Sequence, residues 1–234
     1  MHIFYVPGIT GDSCVMDESE SRHCIRVLRM TKGDRVKLVD GMGGYHEGII
    51  TGSDPSACKI RITDSYQGFE KREYRLHMAV SPIKNQERFE WFIEKSVELG
   101  IDEITPLICR NTEKKGIKTD RINNIIISAM KQSLKAYKPL LNEALPFGKF
   151  IAAGHSGIKM IAHCNRGFES RKMDLIYRKG MDALILIGPE GDFSMEEIDL
   201  ALSSGFKGIS LGNSRLRTET AGIAACHSVY FINQ

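Results

Sequence analysis

Twice in its last third the chain runs an apolar strand into a glycine-bearing loop and then into a helix, which points to an open α/β sheet. The first instance is Asp182-Ala-Leu-Ile-Leu-Ile187 followed by Gly188-Pro-Glu-Gly-Asp-Phe193. A nearly continuous apolar run of this length is how a parallel strand buried on both faces reads. Ser194-Met-Glu-Glu197 then supplies a capping box, with serine at the N-cap and glutamate three residues on. The second instance is Gly208-Ile-Ser-Leu211, then Gly-Asn-Ser-Arg-Leu-Arg217, then a helix of small and apolar residues from about Thr218. Loops leaving the carboxyl ends of parallel strands are where open α/β sheets bind ligands. Gly188, Gly191 and Gly212 let the backbone approach a ligand closely or take a positive φ.

Upstream, the pattern divides in two. Residues 1–72 read as a small β-rich domain. Arg35–Val39, Glu47–Thr51 and Cys58–Thr63 alternate, and a turn cluster Asp40-Gly-Met-Gly-Gly44 separates the first two. Short strands at this spacing suggest a small barrel. His23–Arg29 reads as helical, with Arg22, Arg26 and Arg29 on its polar face. Residues 67–73 form a polar linker. From 73 to 234 strands and helices alternate: a strand at 74–80, a helix at 87–99 ended by Gly100, a strand at 104–108, a helix at 121–134 and a strand at 159–163. That alternation predicts an α/β domain with a mostly parallel sheet. The stretch 139–157 reads as loop. Trp91, the sole tryptophan, reads as packing or interface rather than a base-stacking platform.

Charge and cysteines narrow the class. The six cysteines contain no CxxC pair, which argues against a structural zinc site and for reduced thiols in a cytoplasm; no metal is expected. No apolar run reaches the roughly 18 residues of a membrane span, and the first residues lack the charge and apolar pattern of a signal peptide. Net charge is only +3, yet residues 110–138 hold eight basic residues against two acidic ones. That segment reads either as a solvated face or as a phosphate-binding surface. Gly188-Pro-Glu-Gly191 is not a P-loop, since no GKS/T follows and Pro189 removes an N–H donor. No GxGxxG follows a strand, so dinucleotide chemistry is poorly supported.

Gly188-Pro-Glu-Gly191, followed at this distance by Leu211-Gly and by Leu216-Arg-Thr-Glu-Thr-Ala221, resembles the knotted (SPOUT) RNA methyltransferases. Within them the chain is most similar to the enzymes that methylate N3 of a uridine in small-subunit, 16S, ribosomal RNA. The resemblance extends to His23…Val27-Leu-Arg29…Gly33, Asp40-Gly41, Glu94-Lys95…Glu98-Leu-Gly100…Ile104-Thr-Pro106, and Ala129…Gln132…Pro139, and so covers essentially the whole chain. The chain departs from the family pattern at Asp192, where a second glycine is usual. It departs also at Ser214 or Arg215, where a bulky aliphatic is usual, and at Lys131, where glutamate is common.

The resemblance implies a C-terminal parallel α/β domain with a deep trefoil knot and an N-terminal barrel of PUA or OB type that binds RNA. It implies S-adenosyl-L-methionine as methyl donor, ribosomal RNA of the small subunit as partner, and a cytoplasmic homodimer with its pocket at the subunit interface. The donor would lie in a slot of three loops. One is the strand end Ala162-His163. The second is Leu186, Ile187, Gly188, Pro189, Glu190 and Gly191. The third is Leu211, Gly212, Leu216 and Arg217, continued by Thr220 and Ala221. His163 reads as a strand-end residue near the pocket. Arg217 would hold a uracil oxygen as negative charge develops there. Glu219 would accept the N3 proton or fix the loop, or is a helix-start glutamate favoured by the macrodipole. Arg22, His23, Arg26 and Arg29, together with Lys114, Lys115, Lys118 and Lys135, would contact RNA, against the alternative that they are solvated faces. Two rival readings remain: a non-catalytic RNA-binding or ribosome-assembly module of the same fold, and a knotted enzyme acting on a ribose 2′-OH or a tRNA base.

Overall fold

A computed structural model describes residues 2–234. The chain forms two compact units, residues 1–71 with 127–138, and residues 72–126 with 139–234. The segment 127–138, placed by its sequence position in the C-terminal domain, groups with the N-terminal unit instead.

The N-terminal unit is a five-stranded sheet in the order β1-β3-β4-β5-β2. Its strands are β1 (Ile3–Tyr5), β2 (Ser13–Val15), β3 (Arg35–Val39), β4 (Tyr45–Gly52) and β5 (Lys59–Tyr66). β1 joins β3 in parallel and the other ladders are antiparallel. Alternation announces β3, β4 and β5, whereas three-residue β1 and β2 are too short to show a period. Phe4, Met16, Leu38, Ile50 and Ile60 fill the core. Helix α1 (Glu18–Arg22) begins five residues before the expected helix. Asp17 caps it, its carboxylate accepting from Glu20 N at 2.8 Å. A π-helical turn at His23–Val27 continues it. The later part of helix α3 (Thr119–Gln132) also belongs to this unit. Lys131 on it pairs with the buried carboxylate of Glu20. That pairing accounts for a lysine where the family commonly has glutamate: a second carboxylate there would face Glu20.

The second unit holds an eight-stranded parallel sheet. Along it run β11 (Arg171–Lys172), β13 (Lys207–Ser210), β10 (Ile158–Ala162), β12 (Ala183–Ile187), β6 (Leu76–Val80), β7 (Glu103–Ile108) and β8 (Leu140–Leu141), in that order. β9 (Leu145–Pro146) adds to β7. All five residues of β12 are buried, as its apolar run requires. Helix α2 (Gln86–Leu99) is capped by Asn85 and closed by Gly100 at φ +90, a left-handed conformation that favours glycine. Helix α6 (Thr218–Ile232) packs on α2, β6 and β12. It can do so because Gly222 carries no side chain: a Cβ there would stand 2.6 Å from the Phe92 ring. The stretch 139–157, expected as loop, holds β8, β9 and helix α4 (Phe147–Ala152). Those elements are too short for periodicity to reveal, yet Phe147 and Phe150 anchor them in the core beside Phe193.

Removing Lys131 leaves a buried carboxylate without its counter-ion. Lys131→Met is expected to cost about 2–3 kcal/mol in denaturant unfolding, and adding Glu20→Gln should recover most of it. Equal stability of Lys131→Met and the parent would show that the pair contributes nothing.

Candidate functional site

The site follows from register. Ala162 is level with Ile187 on β12 and with Ile209 on β13, so three strands end side by side. The chain leaving β10 runs to the edge strand β11, while the chain leaving β13 enters α6, packed over β12 and β6. Departures to opposite sides open a crevice at the carboxyl ends of the strands. A cavity of about 1120 Å³ lies there.

Of the expected donor residues, Ala162, His163, Ile187, Gly188, Pro189, Glu190, Leu211, Gly212, Leu216, Arg217 and Ala221 line this cavity. Three do not. Leu186 is fully buried in the core, since alternate residues of a strand face opposite sides of the sheet. Gly191 turns away against Asn111, whose Nδ2 donates to its carbonyl at 3.2 Å. Thr220 is exposed outside the cavity. The segment Cys164–Ser170, apart from Gly167, lines the cavity too, together with Asp192. Sequence reasoning missed it; the available signal was its position directly after β10.

The loops are held from several sides. Helix α5 (Met195–Ser203) begins in the expected capping box, Ser194 with Glu197. Thr218 Oγ1 donates to Gly188 O at 3.0 Å in a buried bond that ties the start of α6 to the second loop. Lys84 N donates to Glu190 Oε1 at 3.2 Å. Gly212, at φ +120, has nothing within 4 Å of a built Cβ, so open space lies beside the backbone there. His163 is buried edge-on to Phe168, at 6.1 Å between ring centroids. Burial pushes its imidazole below the ordinary histidine range, with the charge of Asp192 opposing.

The two catalytic candidates part company. Arg217, the N-cap residue of α6, is exposed and lines the cavity. Glu219 is buried outside the cavity, with its carboxylate 3.8 Å from Arg88 Nε on α2. Successive helical residues point about 100° apart, so once Thr218 is turned to Gly188, Glu219 is turned away toward α2. As a base facing the slot it is therefore corrected to a partner of Arg88.

The expected RNA contacts fall on both units. Arg22, His23, Arg26 and Arg29 are exposed in the N-terminal unit, Arg22 paired with Glu18. Lys135 is half-buried in the same unit. In the second unit Lys115 and Lys118 are exposed, and Lys114 Nζ donates to Gln86 Oε1 at 3.3 Å. The basic stretch 110–138 is thus not one surface. Arg121 forms a bidentate pair with Glu90 at 2.6 and 2.8 Å, Arg110 pairs with Glu196, and Lys131 with Glu20.

Comparison with known proteins agrees with this architecture. An RNA methyltransferase domain model matches residues 70–230, and an RNA methyltransferase PUA domain model matches residues 17–63. A crystal structure of a probable rRNA-methyltransferase from Porphyromonas gingivalis superposes with a TM-score of 0.93 at 38% identity, over 100% of this chain and 98% of that one. A ribosomal RNA small subunit methyltransferase E from Neisseria gonorrhoeae, solved bound to S-adenosyl methionine, gives 0.88 at 26% identity over 100% and 98%. The protein of the same name from Rickettsia conorii is 28% identical over 210 residues, 87% of this chain and 83% of its own. With a crevice at the ends of β10, β12 and β13 and a PUA-type unit before it, this chain belongs to the RNA methyltransferase family.

Proposed function

We propose that the protein transfers a methyl group from S-adenosyl-L-methionine to N3 of a uridine in 16S ribosomal RNA, as a cytoplasmic homodimer. The observation that carries this is the cavity at the three strand ends, lined by glycine-bearing main chain and by Arg217, in a chain of this family. The relatives' name and the donor bound to the Neisseria gonorrhoeae protein support the substrate class and the donor. The N3 position rests on the resemblance of the motifs. A deep trefoil knot is part of the same reading and rests on the resemblance of the motifs. Among the described residues, no helix is long and apolar enough to cross a membrane. The homodimer reading is supported by exposed aromatics on two helices packed on each other, Trp91 on α2 and Phe231 on α6.

The cavity fits such a donor. Open space beside Gly212 leaves room along the main chain, whose amides and carbonyls can read an adenine edge. When bound, the donor supplies an electrophilic methyl group, while the protein supplies orientation and electrostatics. N3 of uridine is a poor nucleophile until its proton leaves. In this reading Arg217, exposed in the cavity, holds a uracil oxygen as charge grows there. With Glu219 turned to Arg88, the carboxylates that line the cavity are Glu169, Glu190 and Asp192.

The test is transfer of labelled methyl to 30S subunits and to naked ribosomal RNA, with the product nucleoside identified by mass and retention. Arg217→Ala should lower the rate by about 10²-fold, the order seen when a charge-stabilising donor is removed. Glu219→Gln should stay within about threefold of the parent. A collapse of rate in Glu219→Gln with folding intact would restore it to the chemistry. Label on ribose or on another base would overturn the target, and binding without transfer would favour a non-catalytic RNA module.

RNA affinity provides a separate test of the N-terminal unit. Changing Arg22, Arg26 and Arg29 together to Ala should flatten the slope of log affinity against log salt by roughly 2, the effect of two or three lost phosphate contacts. Donor affinity should not move. An unchanged slope would return these arginines to the solvated-face reading.

A further inference from the structure

Asp192 sits in the left-handed region at φ +63. Most side chains are strained there; aspartate is among the better tolerated because its short polar side chain can bond nearby backbone. Both of its oxygens are engaged. Oδ1 accepts from Phe193 N at 2.8 Å, a local bond. Oδ2 accepts from Cys164 N at 2.8 Å, a bond that crosses from the loop after β12 to the loop after β10. The backbone at this point is held from a third strand end, since Asn111 Nδ2 donates to Asp192 O at 3.0 Å as well as to Gly191 O. Asp192 N closes the turn onto Pro189 O at 2.9 Å. Pro189, Asp192 and the residues His163 and Cys164 all line the cavity.

A loop that needed only to turn would be served by glycine, which takes φ +63 freely and is the usual family residue here. Glycine could make neither side-chain bond. The aspartate adds charge-assisted bonds, which are shorter and stronger than neutral ones. We propose that Asp192 is a positioning residue of the donor site: its carboxylate straps the loop after β10 to the loop after β12 and holds the slot between them at binding width. The inference rests on the reading of this cavity as the donor site. Asp192 acts through the Cys164 amide and the His163 segment rather than on the reacting atoms.

The test compares full-length wild type, Asp192→Gly and Asp192→Asn. S-adenosylmethionine affinity is measured by calorimetry, melting temperature is measured without donor, and KM is measured separately for donor and for RNA. Asp192→Gly should bind the donor about tenfold more weakly, the order of one lost bond to a charged group, with donor KM rising in step. RNA KM should not change. The donor-free melting temperature should stay close to wild type, because relief of strain offsets the lost bonds. Asp192→Asn, which keeps one oxygen acceptor, should fall between the two. Wild-type donor affinity in Asp192→Gly would overturn the proposal, as would donor and RNA KM rising together with a fall in melting temperature. If Asp192→Gly does not fold, Asp192→Asn decides: unchanged donor affinity overturns the proposal and a loss of threefold or more supports it. Wild-type protein that binds no S-adenosylmethionine would instead sink the donor-site reading, a result distinct from wild-type binding that Asp192→Gly preserves.

Discussion

The site depends on the level at which three parallel strands stop. In-register pairing sets Ala162, Ile187 and Ile209 side by side, so the chain turns out of the sheet at one height in three places. Slipping β12 along its neighbours would carry an apolar residue at one end of its buried five-residue run out of the core. The burial of β12 along its whole length and of Met160 and Ile161 on β10 therefore fixes the height of the loops as well as the fold. Chemistry is left to the loops, which line the cavity with glycine and proline main chain beside Glu169, Glu190, Asp192 and Arg217.

Loops that read a ligand with main-chain groups have to be ordered beforehand, since every residue frozen on binding weakens the complex. The bonds around Gly188–Phe193 do this. Thr218 from α6, Lys84 N from the turn after β6, Asn111 from the turn after β7 and Cys164 N from the turn after β10 all converge on six residues. Asp192 and Glu190 meet two of these donors with their own carboxylates. Acidic residues in this loop thus have a structural reason that does not involve the reacting atoms.

The sequence made much of this legible, and the failures have physical causes. Strands β3–β5 and β12, the helices α2 and α6 and the Ser194 capping box stood out because each is long enough to show a period or carries a cap signature. β1, β2, β8, β9 and α4 have no period to read; their stability comes from Phe4, Phe147 and Phe150 packing against partners distant in sequence. Glycine spacing singled out most of the residues that line the cavity at the strand ends. Leu186, Gly191 and Thr220 lie off the cavity because a loop motif does not say which way each residue turns. Of the readings open for Glu219, a base facing the slot does not hold for the same reason, one step of helical rotation away from Thr218. The basic run at 110–138 looked continuous because charge in sequence ignores partners, and Glu90, Glu196 and Glu20 claim three of its eight cations.

The central claim is that the methyl donor binds at the ends of β10, β12 and β13. Backbone amide NMR during titration of the full-length protein with S-adenosylmethionine tests it most directly. The account predicts the largest shift changes at His163, Cys164, Gly188, Glu190 and Gly212–Thr218, with the amides of β3, β4 and β5 hardly moving. Shifts centred on the N-terminal unit, with the three loops silent, would contradict it.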